Sequence, residues 1–413
     1  MITLNINHLI REIKANNSTI ILFGAGKYGK MAYYSLKKLG LEAHYFCDDY
    51  PSPSYLGLPV ISLNDLKKMD KNFHIFICTS YALKGIVSRL DEIKVKNIHN
   101  CLNLFQNTDF SEANFENMNF LEIRRRIDLY NEEIKSLENI NNKELDIKYI
   151  DIVITEACSM RCVSCSNLMQ YYLKPRNSEK DLLFKSIDKI MSVTKELYEF
   201  RILGGEPFVN KEIGQIIKKL LSYPNARNIV IYSNATIIPK GENFECLKNS
   251  KILVDISDYG DLSRKHQEYI NLFEENNIRY TTNIPIWTDS GTIKYKERSE
   301  ENLVDMFKNC CVNDTLTLLN GKLYRCPFSG NAMNLKAVPD VKTDYVDLSD
   351  DSKSINDIKV DIYKLYKEKK YLEACKYCNG RDYTTPKIEV AIQTKKPIPI
   401  PIQPPPVGVR GRF

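Results

Sequence analysis

Short apolar runs alternate with amphipathic stretches through the first hundred residues of this chain. "STIILF" is a β-branched run, "GKYGKMAYYSLKKLG" has helical spacing, and "EAHYFC" reads as a second strand. "SLNDLKKM" gives a helix, "FHIFIC" a strand and "YALKGIVSRLDEI" another helix. Such alternation predicts a parallel sheet covered on both faces. From "NFENMNFLEIRRRIDLYNEEIKSLENI" the apolar positions thin into one long polar helix, expected to connect two domains. A second alternating run opens at "YIDIVIT" and continues through "YEFRILG", "NIVIYSN", "KILVDIS", "IRYTTN" and "TLTLLNG". These six units fit a partial (β/α) barrel, with functional groups at the C-terminal strand ends. Beyond it lie a hairpin, "TLLNGKLYRCPF", a helix near "INDIKVDIYKLYKEKK" and the pair "CKYC". The proline-rich end "KKPIPIPIQPPPVGVRGRF" is expected to be extended or disordered.

Composition narrows the class. The 413 residues suffice for two or three domains, and 43% hydrophobic with 27% charged residues is the balance of a globular protein. The 58 basic and 52 acidic residues leave +6, too mild and too evenly spread for nucleic acid as the main partner. The N-terminus "MITLNINHLIREIKANN" carries charges where a signal peptide needs an apolar core. No run nears the ~18 apolar residues of a membrane span. A cytoplasmic protein is expected. In a reducing compartment its 12 cysteines read as metal ligands and buried apolar residues, not as disulfides.

Three of those cysteines stand close together. "CSMRCVSC" sets Cys158, Cys162 and Cys165 at C-x3-C-x2-C directly after the strand "YIDIVIT". Thiolates select zinc, copper(I) or iron–sulfur clusters. A closed zinc site wants four ligands, and three thiols on one loop supply too few. On a 4Fe–4S cluster they would leave one iron open to a small molecule, which makes a cofactor the expected fourth ligand. Structural zinc or plain buried thiols are the alternatives.

This motif resembles the signature of the radical S-adenosylmethionine superfamily, three cysteines at this spacing after the first barrel strand. The resemblance extends to "RILGGEP", Arg201 to Pro207, which looks like the family's Gly-Gly-Glu-Pro segment. It implies that Gly204, Gly205, Glu206 and Pro207 meet the cofactor, Glu206 receiving its methionine amino group. "IYSNAT" occupies the place of the family's Thr-Asn-Gly segment, implying Ser233 and Asn234 as polar contacts. "DISDYG" implies Ser257 and Asp258 near the ribose. Where the family usually has an aromatic residue before the third cysteine, this chain has Ser164. The implied chemistry is reductive cleavage of S-adenosylmethionine to a radical that takes hydrogen from substrate, with a flavodoxin- or ferredoxin-type electron donor. Tyr171 and Tyr172, close to the cysteine loop, are expected to be packing residues.

A second set lies downstream. Cys311, Cys326, Cys375 and Cys378 would fully ligate an auxiliary 4Fe–4S cluster, an arrangement that resembles the SPASM or twitch extension of radical enzymes. Cys310 is an equal candidate for the place of Cys311, and zinc is the alternative occupant. Cys47, Cys78, Cys101 and Cys246 read as core or surface thiols.

Near the N-terminus "ILFGAGKYG" places Gly24, Gly26 and Gly29 between a strand and a helix, a G-x-G-x-x-G fingerprint for phosphate. Asp48 and Asp49 follow at the distance of a ribose-binding carboxylate. "FCDDYPSPSYLGLPVISLNDL" resembles small Rossmann-like domains of bacterial sugar-modifying and polysaccharide-biosynthesis enzymes. The expected organisation is α/β: a Rossmann-like parallel sheet domain over 1–108 and a helical connector over 109–147, then a partial (β/α)6 TIM-type barrel over 148–308. A small iron–sulfur extension over 309–390 and a proline-rich tail over 391–413 complete it. The expected function is radical chemistry on a small molecule, a nucleotide-linked sugar or another surface-glycan precursor. A peptide maturase is the alternative, and a non-catalytic iron–sulfur electron carrier is the alternative of another class.

Overall fold

Five short apolar segments of the first unit are buried deeply enough to form parallel strands with both faces covered. In the computed structural model, which describes residues 6–402 except 71, 81–82, 114, 116–117, 139–143 and 383–384, these are Thr19–Phe23 (β1), Tyr45–Cys47 (β2), Leu58–Ile61 (β4), Phe73–Ile77 (β5) and Asn97–Asn100 (β6). Ser54–Tyr55 (β3) adds an antiparallel edge, and the sheet order is β3-β4-β2-β1-β5-β6. Strand order reverses beside β1, so the loop after β1 lies at the switch point of the sheet. "EAHYFC" contracts to β2 alone, while β4 and β6 are strands that their short, partly polar sequences did not announce.

The helix read as a connector, Phe120–Glu138, packs into this unit's core through Ile123, Tyr130 and Ile134. The Tyr130 hydroxyl donates to the Ile77 carbonyl at 2.7 Å and accepts from the Cys101 amide at 2.9 Å. The chain accordingly divides at Asn142, with this helix inside the first unit. The passage itself, 139–143, lies outside the described residues.

In the second unit, Asp146–Thr155 (β7), Glu196–Gly204 (β8), Ala226–Ser233 (β9), Ile252–Ser257 (β10) and Tyr280–Asn283 (β11) run parallel in chain order. One face, represented by Ile150, Ile152 and Ile154, is buried in a core that includes Ile187, Ile190, Ile216 and Ile217 of the covering helices Lys180–Val193 and Ile213–Leu221. The opposite face is polar lower down. Arg201 lies 3.3 Å from the Tyr149 ring centre and donates to Glu199 at 2.9 Å. Burial pushes the carboxyl of nearby Asp151 up to about 7. The architecture is a mixed α/β fold with parallel sheets.

The last strand departs from the expected order. Thr315–Leu319 (β13) is parallel, but it pairs with β7 on the side away from β8 instead of following β11. From there Lys322–Tyr324 (β14) and Tyr345–Asp347 (β15) extend the sheet antiparallel. The β13–β14 turn is Asn320–Gly321, with φ of 48° and 76°, the left-handed pair that a tight hairpin requires. A two-stranded ribbon of Trp287–Thr288 (β12) and Lys387–Ile388 (β16) stands apart. The end of the chain differs as well. Residues 390–398, assigned to free tail from 391 onward, are hydrogen-bonded to the second unit, whereas 403–413 lie outside the described residues.

Candidate functional site: two cysteine clusters at one edge of the second unit

Because β7 to β10 are parallel, the loops leaving them gather at one edge. The first carries Cys158, Cys162 and Cys165. Two glycines at the end of β8 let that strand press against it. A Cβ on Gly204, whose φ is +152°, would stand 2.1 Å from the Thr155 carbonyl oxygen, and one on Gly205 would stand 2.0 Å from that of Ala157. The bare backbone instead donates from Gly205 to Thr155 at 3.0 Å and from Glu206 to Ala157 at 2.9 Å. Close approach of two loops thus explains the glycine pair.

Glu206 does not open toward the mouth as expected for a group that meets a cofactor directly. It is fully buried, and its carboxylate accepts from the amides of Asn234 (2.8 Å) and Phe208 (3.3 Å) and from the Ser233 hydroxyl (3.0 Å). Burial outweighs these donors and raises its carboxyl to about 7. Pro207 begins the short helical turn Pro207–Val209 that supplies the Phe208 amide. Ser233 is buried with it, and Asn234 is the residue that reaches the thiols. The Asn234 side-chain amide lies 3.6 Å from the Cys158 sulfur and 3.2 Å from the Ser159 hydroxyl. Ser257 and Asp258 sit half-buried at the end of β10, where Asp258 accepts from the Gly260 amide at 2.9 Å.

Around the three sulfurs are Met160, Leu262, Tyr259, Trp287, Val390 and Ala391. Tyr259 and Trp287 meet edge to face, so this loop has aromatic neighbours although Ser164 is not one. Sequence reading passed over both. The lone tryptophan just beyond a strand end was the available signal. Backbone and side-chain donors point at the sulfurs: Met160 to Cys158 at 3.4 Å and Gln393 to Cys162 at 3.1 Å. Burial pushes the thiols of Cys158 and Cys162 up to about 12 and about 11. Thiols held protonated this way ionise when a positively charged metal core joins them, so the donor set fits an iron–sulfur cluster. Tyr171 and Tyr172 are buried. The Tyr172 hydroxyl donates to Asn331 at 2.8 Å and accepts from Asn334 at 2.9 Å.

The second set surrounds a cavity of about 40 Å³ lined by Cys310, Cys326, Cys375 and Cys378, with Ser166, Phe328 and Arg381 beside them. That is several times the space one water needs. Among the described residues no group of three His, Cys, Asp or Glu side chains is arranged to hold a single metal ion, at either cysteine set. Cys326 caps the helix Pro327–Asn334 and accepts from the Ser329 amide at 3.3 Å, while Cys378 accepts from Gly380 at 3.3 Å. Cys310, at the end of the helix Glu300–Asn309, lines the cavity, and Cys311 does not. A hydrogen bond from Cys310 and the charge of Arg381 lower the Cys311 thiol to about 6.

In the first unit, the three glycines of the fingerprint have different surroundings. Gly24, at φ +117°, would clash with the Cys78 carbonyl, and a Cβ on Gly29 would stand 2.1 Å from the Gly24 oxygen. Gly26 would meet nothing within 4 Å. Asp48 accepts from the Ala25 and Tyr50 amides at 2.8 and 2.9 Å, and Asp49 is paired twice with Arg89 at 2.6 and 3.0 Å. Both carboxylates therefore already have partners within the protein.

Comparison with known proteins bears on the second unit. The sequence model of the 4Fe-4S single cluster domain family matches residues 151–269. The GTP 3',8-cyclase of Clostridium acetobutylicum is 33% identical over 97 residues, 23% of this chain and 30% of the relative. That of Campylobacter jejuni subsp. doylei is 22% identical over 174 residues, 41% and 54% of the two chains. The chain spans about a third to a half of the length of these relatives. Among solved structures, BtrN in complex with AdoMet and 2-DOIA aligns with a TM-score of 0.38 and 15% identity over 61% of this chain and 97% of that one. Native anSMEcpe with bound AdoMet aligns with a TM-score of 0.39 and 11% identity over 61% and 93%. The family match thus takes in the three-cysteine loop and the strand ends beside it, from Gly204 to Asp258. That match supports a 4Fe–4S cluster at this loop, and the two aligned structures are of proteins with bound AdoMet.

Proposed function

We propose that the second unit reductively cleaves S-adenosylmethionine and that the chain uses the resulting radical on a nucleotide-linked sugar or a similar glycan precursor. Cys158, Cys162 and Cys165 would hold the cluster, and three thiolates would leave room for the cofactor beside it. When bound, this pair supplies a 5′-deoxyadenosyl radical able to remove hydrogen from an unactivated carbon. The observation that carries the reading is the three-thiol loop at the C-terminal strand edge, inside the matched 4Fe–4S domain and within reach of Asn234. Gly204, Gly205 and Pro207 shape the loop edge beside the cofactor. Glu206 acts through the backbone of Asn234, and Ser257 and Asp258 border the mouth. Tyr259 and Trp287 offer the apolar wall that Ser164 does not.

Cys310, Cys326, Cys375 and Cys378 are proposed to hold a second 4Fe–4S cluster, closed by four thiolates and suited to electron transfer. A flavodoxin- or ferredoxin-type protein would supply electrons. The first unit is proposed as a Rossmann-like nucleotide handle. Gly26 supports this, since neither its φ nor any neighbouring atom demands a glycine there, and a bare backbone suits phosphate approach. The similarity to GTP cyclases covers the cofactor region, so it supports the chemistry and not GTP as substrate.

The test is anaerobic reconstitution followed by incubation with a panel of nucleotide-sugars, reading 5′-deoxyadenosine and deuterium transfer from labelled substrate. Cofactor cleavage with about eight irons per chain is expected. Zinc in place of iron, or iron without cleavage, would overturn the reading.

A further inference from the structure

The segment Val390–Ile398 crosses the cysteine loop like a strap. Cys162 and Gln393 form an antiparallel bridge, with the Val163 amide donating to Ile392 at 2.8 Å and the Thr394 amide to Arg161 at 2.8 Å. The Arg161 guanidinium donates to the Lys395 carbonyl at 3.1 Å, and the Ile398 amide to Gln170 at 2.8 Å. Upstream, β16 is tied to β12 beside Trp287. Ala391 is buried and left-handed, with φ of 55°, which turns the chain onto the loop. A non-glycine residue holds that conformation only where its surroundings enforce it.

At the centre, Gln393 is bonded at both ends of its amide. Its oxygen accepts from the Arg161 backbone amide at 2.8 Å, and its nitrogen donates to the Cys162 sulfur at 3.1 Å and to the Ala391 carbonyl at 2.7 Å. The first bond fixes which end is nitrogen, because a backbone N–H needs an acceptor. This donor reaches the motif from 231 residues away.

We propose that Gln393 is a positioning residue that tunes the first cluster, its N–H raising the reduction potential by stabilising the extra negative charge on Cys162 in the reduced state. The inference rests on the cluster assignment above. Hydrogen bonds to cluster sulfurs and shielding from solvent are the protein's levers on this potential, and the strap provides both. Its effect is local, because the side-chain bonds of Gln393 go to Arg161, Cys162 and Ala391, all at the first cysteine loop and its strap.

The experiment is a redox titration, followed by electron paramagnetic resonance, of the full-length protein and of Gln393→Met and Gln393→Glu. Methionine removes donor and acceptor while filling similar volume. Glutamate keeps the acceptor for Arg161 and cannot donate when ionised. Both variants are expected to bind the first cluster and to be harder to reduce, by roughly tenfold in the one-electron equilibrium, about 59 mV. The second cluster should be unmoved. An unchanged first potential, an equal shift in both clusters, or failure of both variants to hold the first cluster would each overturn the proposal, because it assigns Gln393 tuning and not retention. A wild-type chain with no cluster at Cys158, Cys162 and Cys165 would instead refute the cluster assignment itself.

Discussion

The two cysteine sets of the second unit are built in opposite ways. Cys158, Cys162 and Cys165 lie on one loop, so eight consecutive residues carry the ligand set and its spacing is set locally. Cys310, Cys326, Cys375 and Cys378 come from a helix end, a hairpin end and a later turn, and only the folded chain brings them around one cavity. As proposed, the first set would leave a ligand position for a cofactor, whereas the second would close on itself with four thiolates. A contiguous set suits an open reactive site. A dispersed one ties distant segments together and contributes to folding when metal binds.

Removing each set should separate these roles most sharply. Replacing Cys158, Cys162 and Cys165 together with alanine is expected to abolish dithionite-driven formation of 5′-deoxyadenosine while the second cluster stays. Retained cleavage would remove the first site from the chemistry. Replacing Cys326, Cys375 and Cys378 should spare some uncoupled cleavage, stop product formation and lower the melting temperature, since the closed set bridges segments far apart in sequence.

A finer cut uses neighbours. Cys310→Ala is expected to lose about four of the eight irons, and Cys311→Ala to keep them, because only Cys310 lines the cavity. Iron and sulfide analysis of the two variants decides it. The reverse result would mean that the helix end rotates when the cluster assembles.

Much of this was legible in sequence, for physical reasons that also mark its limits. Alternating apolar runs announce parallel strands, and "CSMRCVSC" announces a soft-metal loop, because both signals are local. The neighbour of β13 is not local. "TLTLLNG" says strand and turn, yet nothing in it says that β7 will be its partner. The helix Phe120–Glu138 looked like a linker because its apolar positions are sparse, but Tyr130 and Ile134 suffice to bury one side. Gln393 lies in "VAIQTKKP", where no pattern marks it, and only the strap's hydrogen bonds reveal it.

Glu206 sharpens the first site further. Glu206→Gln keeps the shape but sets an amide N–H against the donors of Phe208, Ser233 and Asn234. Loss of one such charge-assisted bond is worth about 1.5–3 kcal/mol. Cofactor affinity is expected to fall about tenfold or more through the displaced Asn234, with the cluster intact. A pH signature accompanies it. Burial raises this carboxyl from 4.5 to about 7, so the folded state holds the proton more tightly than the unfolded chain. Its contribution to stability is therefore full below about 4.5 and declines as pH rises through about 7. Melting curves of wild type relative to Glu206→Gln should show that decline. A constant difference across the range would mean that Glu206 titrates in the folded protein as it does in the unfolded chain.

The smallest effect comes from the first unit, where two glycines of one fingerprint differ as Cys310 and Cys311 do. Gly29→Ala would place a methyl 2.1 Å from the Gly24 carbonyl oxygen, inside any contact distance, so the turn must open. Overpacking of this kind typically costs about 1–3 kcal/mol, and melting of the full chain should register it. Gly26→Ala meets nothing within 4 Å at an extended backbone with φ of −129°, so the folded unit should tolerate it. Its effect on stability is expected within about 1 kcal/mol, and its favourable part comes from the unfolded chain losing freedom. If the bare backbone at Gly26 serves phosphate approach, binding of a nucleotide-sugar should weaken in that variant while cofactor cleavage stays unchanged. Calorimetry of both variants against the nucleotide panel separates the two roles. A Gly26→Ala chain that is stable and binds as well as wild type would leave the fingerprint with a packing role alone, carried by Gly24 and Gly29.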